Sequence, residues 1–141
     1  MAMRGSLWCP VDRWVTLVGV RDQDQPPVDA VLPGRIGLLV RIPVQPGRRA
    51  GALDVLNRYV DDLDQEPGTE AFLVAIDPDD LDVVWLYEWF RDEAALEEHR
   101  NAPLFARLMA ELPDLVAENP GIMRLDPVRL RMSSVVAAQS L

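Results

Sequence analysis

One α+β domain with an antiparallel sheet, its elements ordered β-α-β-β-α-β, is what this sequence predicts. Three observations carry the prediction. Runs of β-branched, aromatic and apolar residues of strand length stand at Ile36–Val44, Glu70–Ile76, Asp82–Arg91 and Ile122–Leu130. Helical spacing of apolar residues fills the interval after the first run and the interval after the third. Turn chemistry separates them at Pro46-Gly47, Glu66-Pro67-Gly68, Asp77-Pro78-Asp79-Asp80 and Asn119-Pro120-Gly121.

Taken in order, residues 1–34 differ from the rest. Trp14 to Val20 has the composition of a short strand, but Arg21 to Gly34 sets Pro26, Pro27 and Pro33 among charged and polar residues, as a linker does. We expect residues 1–34 to be an extension and linker, residues 35–132 the domain, and residues 133–141 a tail. The first helix is expected over Arg48–Gln65, with Leu53, Leu56, Val60 and Leu63 inward and Asp54 pairing Arg58 across one turn. Glu70–Ile76 and Asp82–Arg91 read as a hairpin. Asp92 caps a helix from Glu93 to about Asn101, and Pro103 opens another as its first residue. Pro127 in the last strand marks an edge or a bulge. This order is the ferredoxin-like split βαβ arrangement.

Composition limits the function. Apolar residues make up 49% of the 141, enough for one globular core and too short a chain for two comfortable domains. A net charge of −9 without a basic cluster argues against nucleic acid and against an anionic membrane surface as partners. No signal peptide or run of transmembrane length is legible, so a soluble cytoplasmic protein is the expectation. One cysteine, Cys9, and one histidine, His99, leave no disulfide framework and no multi-ligand metal site. Asp77, Asp79, Asp80 and Asp82 resemble a calcium run but lack its glycine and distal glutamate, so they read as a solvated turn.

The strand from Val83 to Phe90 and the helix after it organise the chain. Trp85, Tyr87 and Trp89 alternate and share one face of the pleat. Glu88 is the ionisable residue inside the strand, and we expect an ion pair with Arg41 or Arg91 to offset its burial. Both faces of the sheet are apolar: Leu38, Val40, Ile42, Phe72, Val74 and Ile76 against Leu39 and Leu73. An uncovered apolar face of that size predicts a homodimer joined sheet to sheet.

The run YEWFRDEAALEEHRNAPLF, with the Glu66-Pro67-Gly68 turn before it and NPGIMRLDPV after it, resembles the antibiotic biosynthesis monooxygenase (ABM) domain family over about residues 35–128. The resemblance rests most on Glu88-Trp89, Asp92-Glu93-Ala94, His99 and Ala102-Pro103-Leu104-Phe105. It implies a dimeric α/β barrel of ferredoxin-like subunits. Similar proteins include cofactor-free oxygenases that form quinones, haem-degrading enzymes and an isomerase of a phosphorylated sugar. The haem branch implies an axial histidine after the Pro103 break, where Leu104 to Met109 offer none, so no haem, other cofactor or metal is expected. The quinone-forming branch implies a Trp at the end of the third strand, which Trp89 matches. Some of its members carry an Asn two pleats earlier, where Trp85 stands here.

The resemblance therefore implies a cofactor-independent monooxygenase oxidising a small aromatic or quinol-like molecule with oxygen. His99 and Trp89 are the catalytic candidates. Histidine is the residue type whose ordinary pKa suits a base near neutrality, so His99 is expected to be base or hydrogen-bond partner. Tyr87, Trp85, Phe72, Asn57 and Phe105 are the substrate-binding candidates, with Tyr59 and Arg41 as further hydrogen-bond donors. At least one strand aromatic is expected to be plain packing. The alternative is a non-catalytic ligand-binding or interaction dimer of the same fold, its cavity filled by core side chains.

Overall fold

The computed structural model describes residues 28–132. Of the two compact units of the chain, Val31–Leu130 carries the main sheet. Val28–Val31 (β1) and Arg129–Met132 (β6) form a two-stranded sheet. Ile36–Pro43 (β2), Thr69–Ile76 (β3), Val83–Phe90 (β4) and Gly121–Leu125 (β5) form a four-stranded sheet in the order β3-β4-β2-β5, antiparallel throughout. Three α-helices join them: Arg49–Asp61 (α1), Glu93–Asn101 (α2) and Pro103–Glu111 (α3). This is a ferredoxin-like α+β fold. No helix among the described residues is long and apolar enough to cross a membrane.

Pleat parity divides the sheet. Register pairs Leu38 and Phe72 with Glu88, and Val40 and Val74 with Leu86, so even-numbered side chains of β2, β3 and β4 share the face beneath the helices. There Val40, Ile42, Val84 and Leu86 pack with Ala52, Leu56, Leu104 and Leu108 in one cluster, while Ile36, Phe90, Ala95 and Leu96 form another. The opposite face carries Leu39, Leu73, Trp85, Tyr87, Trp89 and Met123, and Leu73 and Met123 are each 58% exposed. Leu73 and Met123 thus lie open on this face, while Leu39, Trp85, Tyr87 and Trp89 are half-buried.

Four local expectations are corrected. The core stripe of α1 is Ala52, Val55, Leu56 and Tyr59, not Leu53 and Val60, which are only partly buried. The small Ala52 lets the helix sit close to the sheet, and choosing residues by size alone shifts the stripe by one position. Arg58 pairs with Glu111 of α3 at 2.6 Å rather than with Asp54, because a neighbouring helix offers a bidentate carboxylate. The last strand is two strands: Pro127, without an N–H, lies in the break between β5 and β6. Val28–Val31, read as linker, is strand, since its flanking prolines bound a β-branched segment that finds a partner in β6. The strand expected over Trp14–Val20, Cys9 and the tail from Ser133 lie outside the described residues.

The aspartate run is a turn. Asp77 Oδ1 accepts the backbone N–H groups of Asp79 and Asp80 at 3.0 and 3.1 Å, which closes the hairpin locally. Asp77 Oδ2 accepts the indole N–H of Trp85 at 3.1 Å, so that tryptophan is tied to the turn. Hydrogen bonds from the Trp85 indole and the turn backbone hold the Asp77 carboxyl below its ordinary pKa. Among the described residues no group of three His, Cys, Asp or Glu side chains is placed to hold a metal ion.

Candidate active site

Four elements bring polar side chains to one buried point between the sheet and the helices. Asp92 caps α2, its Oδ1 accepting the N–H of Ala95 at 2.8 Å. That fixes the helix so that Ala95, Leu96 and His99 face inward. The turn before β3 approaches the same helix closely. A Cβ on Gly68 would stand 2.5 Å from Ala95 Cβ and 3.2 Å from its Cα, so this position admits glycine for want of room. The Gly68 carbonyl also accepts the N–H of Arg91 at 2.9 Å, locking the turn to the end of β4. From this turn Glu66 points inward, and from the last turn of α1 Tyr59 meets it.

The geometry converges on Glu66 Oε2. His99 Nδ1 lies 2.8 Å from it, with both side chains 5% exposed. Tyr59 Oη donates to the same oxygen at 3.1 Å, and Thr69 Oγ1 donates to it at 3.3 Å. Tyr59 Oη also stands 3.0 Å from His99 Nδ1. In the tautomer with Nδ1–H directed at Glu66, Nε2 is the basic nitrogen, and among the described residues no hydrogen bond engages it. Glu66 Oε1 is buried and has no hydrogen-bond partner among the described residues. Such an acceptor marks a place where a donor belongs.

Aromatic rings enclose the imidazole. Phe105 and Phe90 have ring centroids 4.4 and 4.9 Å from it, and Phe72 stacks at a tilt on Tyr59 at 5.2 Å. Glu88 lies on the same face of the sheet, across the strands from Phe72 and Leu38. The ion pair expected for it does not form. Arg41, on the opposite face of the pleat, pairs with Asp80 and Glu118, and Arg91, just past the end of β4, pairs with Asp92. Burial, and secondarily the charge of Glu66, push the Glu88 carboxyl up to about 7. Burial, then the neighbouring Glu66 and Glu88, raise the Tyr59 phenol above its ordinary value.

Of the residues singled out from sequence, the structure brings His99, Phe72 and Phe105 together. Trp85, Tyr87 and Trp89 occupy the opposite face of the sheet, where Tyr87 and Trp89 meet edge to face at 5.7 Å. The aromatic at the end of β4 that reaches His99 is Phe90, one residue on from Trp89. Asn57 is exposed on the outer side of α1. Sequence reasoning passed over Glu66, Thr69 and the pairing of Tyr59, since nothing local links a turn glutamate to a histidine 33 residues away. A recess of about 70 Å³ reaches the cluster beside Glu66, Gly68, Thr69, Ala95 and His99.

Comparison with known proteins accords with this architecture. A Caulobacter crescentus structure that bears the name of the antibiotic biosynthesis monooxygenases superposes with a TM-score of 0.64 at 24% identity, covering 70% of this chain and 93% of that one. A Mycobacterium tuberculosis protein gives 0.61 at 21% identity, covering 67% and 95%. A Nitrosomonas europaea protein of unknown function gives 0.59 at 27% identity, covering 65% and 87%. Among curated proteins no sequence matches. The family model for antibiotic biosynthesis monooxygenase matches residues 35–111, more than half of the chain, and the protein belongs to that ABM family.

Proposed function

We propose that the protein is a cofactor-independent monooxygenase that oxidises a small aromatic, quinol-like molecule with oxygen, with His99 as its base. The observation that carries this reading is the His99 imidazole, held through Nδ1 by Glu66 and Tyr59 inside an aromatic enclosure with Nε2 unengaged. A carboxylate behind a histidine fixes its tautomer and orientation, and so directs the basic nitrogen at a substrate. Glu66 Oε1 offers an acceptor for a substrate hydroxyl.

In such a reaction His99 takes a proton from an activated CH₂ of the substrate, the methylene of an anthrone or of the keto tautomer of a hydroquinone. The carbanion passes its electrons to oxygen, and the carbon–oxygen bond of a peroxide forms. The protonated imidazole returns its proton to the peroxide, the remaining C–H is lost, and the O–O bond breaks. One oxygen atom stays as the new carbonyl, and the other leaves as water carrying both hydrogens. An aromatic, water-poor surrounding keeps the carbanion from simple reprotonation by solvent.

A second reading has its own observation. The recess at His99 holds about 70 Å³, well below the roughly 300 Å³ of ordinary ligand pockets, which favours a non-catalytic binding or interaction dimer. Oxygen uptake by metal-stripped protein with hydroquinones and anthrones separates the two. The oxygenase reading expects substrate-dependent uptake that falls by about 100-fold in His99→Ala, the usual contribution of a positioned base. Uptake unchanged in the variant removes His99 as base, and no uptake with any of these compounds favours the binding dimer.

A further inference from the structure

Glu88 is a buried acid that the reaction above does not use. It is 6% exposed, and its side chain lies on the helix-covered face of β4, with Leu38 of β2 and Phe72 of β3 directly across. Phe72 stacks on Tyr59, whose hydroxyl donates to Glu66, so the two carboxyls belong to one layer between sheet and helices. Among the described residues no hydrogen bond or ion pair engages Glu88. The other groups of this layer are few. Glu66 comes from the turn before β3, Tyr59 from α1 and His99 from α2, while α3 contributes the ring of Phe105. Arg124 of β5 shares the pleat parity of Glu88, but it is 54% exposed and holds Glu93 at 2.9 Å.

Hydrogen bonding decides which carboxyl carries the charge. Two carboxyls do not both ionise cheaply in a buried layer whose cation-forming side chain is a single imidazole. Glu66 Oε2 gathers Tyr59, Thr69 and, at 2.8 Å, His99 Nδ1, whereas Glu88 gathers no donor. The donors therefore favour the charge on Glu66 and leave the proton on Glu88. Burial and the charge of Glu66, which push the Glu88 carboxyl up to about 7, act in the same direction. Loss of that proton near neutrality adds a second negative charge to the layer, and a nearby imidazole then holds its own proton more tightly.

We propose that Glu88 is a positioning residue for the proton on His99, a buried acid whose charge tunes the imidazole so that the two groups titrate as one unit. Use of that proton in catalysis rests on the oxygenase reading, whereas the coupling itself does not.

The chain has one histidine, so the imidazole C–H signals in NMR of the full chain belong to His99 without further assignment. They are followed from about pH 5 to about pH 9, the range in which histidines titrate. The parent is expected to titrate in more than one step. Glu88→Gln, which fixes a neutral group in the layer, is expected to give a single step and to weaken proton binding by His99 about threefold, a modest Coulomb effect in a protein interior. Glu88→Asp, which keeps the charge, is expected to retain the shape of the parent curve. A single step in the parent that Glu88→Gln leaves unmoved overturns the proposal. An equal weakening in the Gln and Asp variants also overturns it, because lost packing rather than lost charge would then be the cause. Oxygen uptake over the same pH range is the independent arm. Coupled titration without uptake defeats the oxygenase reading and keeps the coupled pair. Uptake with uncoupled titration does the reverse.

Discussion

His99 Nδ1 stands 2.8 Å from Glu66 Oε2 although the two residues are 33 apart in sequence and belong to a helix and a turn. Neither would be placed inside an apolar core without the other. Tyr59 and Thr69 complete the arrangement by donating to the same oxygen, so one carboxylate oxygen organises side chains from α1, β3 and α2.

Tyr59→Phe removes one donor from Glu66 while keeping the ring against Phe72. Stability should fall by about 1 kcal/mol, the usual net worth of such a bond, read as a shift in the urea midpoint without a change in slope. Nitrogen NMR of His99 should still find the Nδ1 proton directed at Glu66. A proton found on Nε2 instead would mean that Tyr59, not Glu66, fixes the tautomer.

Glu88→Gln tests the buried carboxyl that pairs with neither Arg41 nor Arg91. Its pKa is raised in the fold from 4.5 to about 7, so the folded state holds a proton that the unfolded state has released between those values. Stability from this group is therefore full below pH 4.5 and is lost as pH rises towards 7. The variant should match the parent at pH 4.5 and exceed it by about 3 kcal/mol at pH 8. Equal stability curves at both pH values would contradict a burial-raised carboxyl.

Gly68→Ala places a methyl 2.5 Å from Ala95 Cβ, a separation that only movement of α2 or the turn relieves. Overpacking of this kind costs about 1–3 kcal/mol. Ala95→Gly in the same chain should recover part of the loss, less the roughly 1 kcal/mol that glycine costs inside a helix. Thermal denaturation of the two single variants and the double variant measures this coupling. Strict additivity would deny the contact.

Leu73→Lys charges the open face of the sheet, where Leu73 is 58% exposed. If two copies join through this face, the parent sediments as a dimer and the variant as a monomer. Because the side chain lies outside the core, the fold itself should change by no more than about 0.5 kcal/mol. A parent that sediments as a monomer refutes the sheet-to-sheet dimer outright.

Most of the architecture is legible locally. Strand runs, the Asp92 cap, Pro103 at the start of α3 and the aspartate turn each follow from neighbouring residues, and the structure has α2 over Glu93–Asn101 as the caps require. The site is legible only in part. His99 draws notice as the one histidine, yet its partner Glu66 reads as a helix stop. Trp89 and Phe90 are adjacent, and a one-residue difference on a pleat exchanges the two faces of the sheet.

The sequence by itself determined the order of the main sheet's strands and the helices between them, the turns and the apolar character of both sheet faces, because period-2 and period-3.6 patterns and turn residues act over a few positions. Tertiary structure decided the rest. It set which stripe of α1 is buried, sent Arg58 to Glu111, turned Arg41 and Arg91 to partners other than Glu88, and gathered Tyr59, Glu66 and His99 at one point. Those outcomes depend on strand register and on how closely a helix approaches a turn, and both are fixed only when distant segments pack together.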